Sequence, residues 1–205
     1  MKIFTKTVFV ALLATTTFQS SAQSTHEKGD LLINPSVTLG WYDYGYGLNR
    51  VSAIPPVGLN FEYHLSELFG IGLEGTYMSR RYEDFNPTAF TYNYEYQYQA
   101  ITARLSFHYL DLLRRWFPDE LSSESLDKVD LYVTGSGGYQ WINSKQTWRT
   151  GDPTATPNEA RYFESAYISN FAGGARYYVS DNFGVFLEGG RNTFGWVKIG
   201  ATLKF

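Results

Sequence analysis

The chain has no cysteine, a low charged fraction of 18 %, and no internal apolar run long enough to make a membrane helix. Lack of cysteine removes disulfides, thiolate metal sites, thiol nucleophiles and lipid attachment through an N-terminal cysteine. Lack of a long apolar run removes helical spans, which need about 20 consecutive apolar residues. Positive charge is not in excess either. Seventeen Lys and Arg stand against 20 Asp and Glu, so the basic stripe of a nucleic-acid binder is missing and no nucleic-acid partner is expected. Aromatic residues (18 %) and glycine (19 residues) are abundant, while mean hydropathy is −0.29. Such a composition suits a chain whose alternate residues meet lipid and a polar lumen, because the two faces cancel in any hydropathy average.

The N-terminus predicts export. Lys2 and Lys6 form a basic start, Val8 to Ala14 an apolar stretch, and Ser20-Ser21-Ala22 a small-residue end. This three-part pattern is a secretory signal over residues 1–22, cleaved after Ala22. Residues 23–28 then form a short leader, and 29–205 a single folded unit.

Alternation fills that unit. Apolar and aromatic residues take odd positions in eight runs: Leu31 to Trp41, Val57 to Leu65, Phe69 to Tyr77, Ile101 to Tyr109, Leu131 to Trp141, Phe171 to Val179, Phe183 to Leu187 and Val197 to Phe205. Between them stand Asn34, Thr38, Asn60, Glu62, Glu74, Thr102, Arg104, Ser106, Thr134, Arg176, Glu188 and Lys198. Period two with one apolar face is the strand signature. Ser66–Leu68 and Ser180–Asn182 are read as tight turns and Arg191–Phe194 as a short opposite connection. Tyr42–Ala53, Glu83–Asn93 and Ile142–Arg161 are read as long polar loops. Short turns at one end and long loops at the other fit an eight-stranded antiparallel up-and-down transmembrane β-barrel, with both termini at the short-turn end. A weak internal repeat, Leu65–Tyr77 against Val179–Arg191, suits a closed meander of similar hairpins.

Aromatic placement sets which face is which. Tyr63, Phe69, Phe107, Tyr109, Tyr177, Phe183 and Phe205 lie toward the short turns, and Trp41, Tyr77, Tyr139 and Trp141 toward the long loops. Two girdles around an aliphatic band suit the two lipid interfaces. The opposite face carries mid-strand charges that a dry soluble core would not tolerate. The connection 110–128 is long for its end, and is read as an interfacial helix with Leu112, Trp116 and Phe117 at the leaflet edge, or as a docking element for a periplasmic partner.

With its exported N-terminus, its alternating strands and the ending Gly195-Trp-Val-Lys-Ile-Gly-Ala-Thr-Leu-Lys-Phe205, the chain resembles the small outer-membrane β-barrels that include OmpX and the OmpA membrane domain. That resemblance implies an outer-membrane location, contact with lipid and lipopolysaccharide, and a C-terminal signal at Phe205 read by the barrel-assembly machinery.

Candidate chemistry is sparse, and no catalytic, cofactor or metal site is expected. His26 in the leader and His64 and His108 at strand ends read as unclustered. Ser106 and His108 share a face, but near the short-turn end and on the lumen side, unlike a lipid-modifying hydrolase working at the outer leaflet. Gly135-Ser-Gly-Gly138 lies within a strand, with no helix following it to make a phosphate loop. An ion-pair network is predicted instead. Glu62, Glu74 and Glu188 share inward parity with Arg104, Arg176 and Lys198, and an eight-stranded lumen is just wide enough for side chains to fill. The leading functional expectation is a non-catalytic structural or surface-interaction barrel. A narrow channel or accessory subunit of an envelope secretion or uptake system is the alternative, and a lipid-modifying enzyme ranks last.

Overall fold

The computed structural model describes residues 26–40, 49–86, 90–116, 126–150 and 158–205. The segment 1–22, the tyrosines of Tyr42–Tyr46, Trp41 and Phe117 lie outside these residues. Eight strands and one helix follow in order: β1 Leu31–Leu39, β2 Asn49–His64, β3 Phe69–Asn86, β4 Phe90–His108, α1 Tyr109–Trp116, β5 Val129–Thr150, β6 Asn158–Ser180, β7 Phe183–Asn192 and β8 Gly195–Lys204. Each strand pairs antiparallel with its neighbour in sequence, and β8 returns to β1 to close the barrel. Closure runs to the chain end, where Leu31 and Phe205 exchange both backbone hydrogen bonds at 3.0 and 2.9 Å. A closed ring leaves no unpaired edge, a requirement for backbone placed in lipid.

Alternation positions everything else. Leu59, Phe61, Leu73, Ile101, Leu105, Leu187 and Ile199 are exposed on the outer face, while Asn60, Glu62, Glu74, Thr102, Arg104, Glu188 and Lys198 are buried in the lumen. A soluble barrel has the reverse arrangement. An aliphatic belt outside and a charged interior are stable only with lipid around the barrel. Aromatic pairs mark the rims of the belt. Phe69 and Phe107 lie 5.2 Å apart near the turn end, and Tyr139 and Tyr167 lie 6.0 Å apart toward the loop end. Prolines fall where the ladder is interrupted, as with Pro55 and Pro56 inside the register shift between Ile54 and Val57, since proline cannot donate to the ladder.

The loop end departs from the sequence reading. Glu83–Asn93 and Ile142–Arg161 were expected as loops, yet β3 and β4 stay paired as far as Asn86 and Phe90. Likewise β5 and β6 stay paired up to Trp148 and Asn158, and β2 begins at Asn49 within the expected loop Tyr42–Ala53. The reason is solvation: above the membrane both faces meet water, so the apolar alternation that marks a strand fades while its pairing continues. A membrane strand needs about 9–11 residues, whereas β5 has 22 and β6 has 23. At about 3.3 Å per residue and a tilt of about 40°, the surplus rises roughly 30 Å beyond the apolar belt. Strands β3–β6 therefore form a tall wall on one side, and the β7–β8 hairpin, of 10 residues per strand, forms the low side.

At the other end the connection 110–128 begins as α1, with Leu110 buried, Leu112 half-buried and Trp116 exposed.

Candidate functional site: the barrel lumen

The six residues of the predicted network are all buried in the lumen, and they divide into two groups. Glu74, Arg104, Glu188 and Lys198 meet at mid-barrel. Lys198 Nζ donates to both Glu74 carboxylate oxygens at 2.7 and 2.8 Å. Arg104 Nη1 bridges Glu74 at 3.3 Å and Glu188 at 3.2 Å, and its Nη2 makes a further bond to Glu188. Glu74 and Glu188 occupy equivalent places in the repeated hairpins, on β3 and β7, four strands apart in an eight-strand ring. The repeat thus sets two carboxylates facing each other across the lumen, with Arg104 and Lys198 between them.

Glu62 and Arg176 belong to a second group nearer the turn end. Arg176 reaches Glu62 at 3.4 Å and Asp130 at 3.1 Å. Asp130 was absent from the sequence reading, although it has inward parity and pairs directly with Arg176 across β5 and β6; it stands one residue before the fifth apolar run. Tyr132, two residues on, links the groups. Its hydroxyl donates to Glu188 at 2.9 Å, and its ring lies 5.0 Å under the Arg176 guanidinium. Two glycines make room. A Cβ on Gly174 would stand 2.5 Å from the Tyr132 ring, and one on Gly70 would stand 2.7 Å from the Glu62 carboxylate and 2.6 Å from Ser106 Oγ.

The histidines depart from the expectation that they are unclustered. His26, His64 and His108 are all buried, with ring centroids 4.0, 4.6 and 4.7 Å apart. The cause is a turn in the leader. Asp30 Oδ2 accepts from the Glu27 amide at 2.8 Å, and Gly29 takes the left-handed φ of +105° that favours glycine. Gly29 N donates to His64 O and His64 N to Asp30 O, each at 2.9 Å, so the chain folds back and drops His26 into the barrel mouth. Asp130 then holds two rings at once, His26 Nε2 by Oδ2 and His108 Nδ1 by Oδ1, both at 2.9 Å. Burial pulls the His26 pKa below its ordinary value despite the raising pull of Asp130. The available signal was shared inward parity at the ends of two strands separated only by β3; the leader's fold-back had no period to betray it.

Ser106, His108 and Asp130 line up as a nucleophile–base–acid chain, with Ser106 Oγ 3.2 Å from His108 Nε2. The Ser106 hydroxyl, however, donates to Glu62 and is 1 % exposed, so its proton is directed away from His108 and it has no approach path for a substrate. Gly135–Gly138 lies within β5, as expected from its position.

Above the ion pairs the lumen changes character. The space bounded by Asn34, Asn60, Glu74, Arg104, Phe186 and Lys198 has no water-sized volume. Toward the loop end, a cavity of about 410 Å³ is lined by Met78, Tyr96, Tyr98, Glu164, Arg191 and Phe194, among others. Phe194, in the β7–β8 turn, tips inward with a φ of 65° and packs on Met78 and Ala100 as the floor of this cup.

A closed eight-stranded barrel, apolar outside and charged within, defines the class: this is a small transmembrane β-barrel. No family model matches the sequence, and no curated protein matches it. Among solved structures the chain is similar to the N-terminal barrel domain of Pseudomonas aeruginosa OprF, at 12 % identity and TM-score 0.43, covering 88 % of this chain and 100 % of that one. It is also similar to P. aeruginosa OprG, at 12 % identity and TM-score 0.48, covering 89 % and 99 %. A third is Yersinia pestis Ail in complex with a heparin analogue, at 14 % and 0.46, covering 87 % and 96 %. At these values the overlap carries no inference about role.

Proposed function

We propose that the protein is a non-catalytic surface-recognition barrel, sealed through its lower lumen and presenting the β3–β6 wall with its cup to the exterior. The observation that carries this reading is the contrast between a lumen without water-sized space among its ion pairs and a cup of about 410 Å³ above them. Charges packed this way leave no solvated path for ions, which argues against a channel. Tyrosines such as Tyr96 and Tyr98 line the cup, and tyrosine gives contact area at low entropy cost.

In this reading residues 1–22 are removed after Ala22, the turn end with both termini faces the periplasm, and lipopolysaccharide surrounds the rising wall. Phe205, on the outer face at the end of the closing seam, is placed for the barrel-assembly machinery to reach. α1 lies at the periplasmic interface with Trp116 outward, where a periplasmic partner of 110–128 would also dock.

Cells displaying the wild type, a Tyr96→Ala/Tyr98→Ala variant and a variant with residues 83–91 replaced by a two-residue turn test this. Their adherence to glycan-coated and protein-coated surfaces is compared at matched surface expression. Loss of adherence in either variant supports the reading, and unchanged adherence across all surfaces removes it. Planar-bilayer recording of the wild-type monomer is the second arm, since stable ohmic conductance would favour the channel alternative.

A further inference from the structure

We propose that His26, His64 and His108 form a binding site for one divalent first-row transition-metal ion of the zinc class, clamping the leader into the turn-end mouth. Each ring offers one nitrogen, and these three nitrogens lie within 4.8 Å of one another. His64 carries the site furthest. It is fully buried, and neither of its ring nitrogens has a hydrogen-bond partner among the described residues. A buried imidazole left so is costly unless something absent from the polypeptide binds it.

The surroundings are those of a metal site. Asp130 takes one nitrogen of His26 and one of His108, as carboxylates do when they orient metal-bound imidazoles and raise their basicity. Two carboxylates, Asp130 and Glu62, stand against the single guanidinium of Arg176, so with neutral rings the local charge is negative and favours a cation. Glu62 Oε1, 3.4 Å from His108 Nε2, is within reach as an oxygen donor for the position that three nitrogens leave open. Imidazole donors select zinc, copper, nickel or cobalt rather than calcium or magnesium. A tetrahedral ion with bonds of about 2.0–2.1 Å needs donors about 3.3 Å apart. The rings therefore close by up to about 1.5 Å on loading, and the stacked pair His26–His64 hinges open at one edge.

The donors come from three separate pieces of chain: the leader, the end of β2 and the end of β4. An ion there ties the leader to the sheet, which among the described residues backbone bonds hold through Gly29 and Asp30.

The test uses untagged, mature, refolded protein in detergent micelles, stripped with EDTA and titrated with ZnCl2 by calorimetry and with CoCl2 by visible absorption. One ion per barrel and cobalt d–d bands of low-symmetry nitrogen coordination are expected. His64→Gln and His26→Ala should each weaken Zn2+ binding at least about tenfold, and Asp130→Asn about 10–100-fold. Heat-modifiable electrophoretic mobility reports whether each barrel is closed. Should His64→Gln fail to close, His26→Ala decides, because His26 lies outside every strand. Zinc should also protect the leader from protease in the wild type and not in His26→Ala. No stoichiometric binding, or equal affinity in a closed His26→Ala barrel, overturns the proposal.

Discussion

The two halves of the lumen solve opposite problems with the same strands. Toward the turn end, Glu62, Glu74, Arg104, Asp130, Arg176, Glu188 and Lys198 are buried and ion-paired with no water-sized space among the mid-barrel group. Toward the loop end, Tyr96, Tyr98, Met78 and Phe194 surround an open cup. Charges in the first half are held by partners fixed on a closed sheet, so each depends on the rest. Around the second half both faces of the wall stand in water, where an ion pair such as Lys145–Glu159 on the outer face, at 2.9 Å, is screened and weak. The difference teaches where stability and recognition reside: below, removing one group exposes the others; above, side chains can vary.

The sharpest way to break this comparison is to remove one buried partner. Arg104→Ala leaves Glu74 and Glu188 facing each other with Lys198 alone between them, and should cost roughly 3–5 kcal/mol. Urea unfolding of the barrel in phospholipid micelles, followed by tryptophan fluorescence, measures it. Lys145→Ala on the wall should leave the midpoint unchanged within experimental scatter. Similar losses at the two sites would erase the distinction between the halves.

A second substitution tests which face meets lipid. Leu73 is 60 % exposed on β3, one residue from buried Glu74. Leu73→Arg should destabilise by about 2–4 kcal/mol if it lies near the bilayer midplane, and refolding yield into vesicles should fall with it. The same change at Phe163, exposed on the outer face of the wall beyond Tyr167, should have little effect.

Filling a glycine slot comes next. Gly174→Val would drive a side chain into the space of the Tyr132 ring, 2.5 Å from its Cβ, and overpacking of this kind costs about 1–3 kcal/mol. Because Tyr132 bonds Glu188 and underlies Arg176, its displacement should be non-additive with Arg104→Ala in a double-mutant cycle. Additive losses would mean that the two lumen groups are uncoupled.

The halves also differ in how far they can be read from sequence. In the lower half each strand separates lipid from lumen, so period two is enforced, and runs such as Phe69–Tyr77 declare both strand and face. Glu62, Glu74, Arg104, Arg176, Glu188 and Lys198 could be assigned inward parity for that reason. Parity says which side a residue faces, not which partner it meets, so the split into two groups was hidden. Asp130 fell just outside its run, and His26 reaches the site through a turn that carries no periodic signal. In the upper half both faces meet water. Sequences such as Asn143-Ser-Lys-Gln-Thr147 then read as loop, although they pair residue for residue from Gln97 to Asn93 on β4.

The smallest expected effect separates the floor of the cup from the seal below it. Phe194 sits in the left-handed region, costly for a bulky residue by roughly 1 kcal/mol or more, and this cost is offset by its packing on Met78, Ala100 and the Tyr98 ring, 5.8 Å away edge to face. Phe194→Ala lowers the strain little while removing the ring, so the cup deepens toward mid-barrel and stability falls modestly. If sealing rests on Phe194, planar-bilayer recordings of this variant should show new steady conductance. If it rests on the ion pairs, the variant should stay as silent as wild type, because Arg104 and Lys198 still bridge Glu74 and Glu188 beneath the floor. Silence is the expected result. Conductance from Phe194→Ala alone would move the seal to the loop end and leave the buried charges a purely structural role.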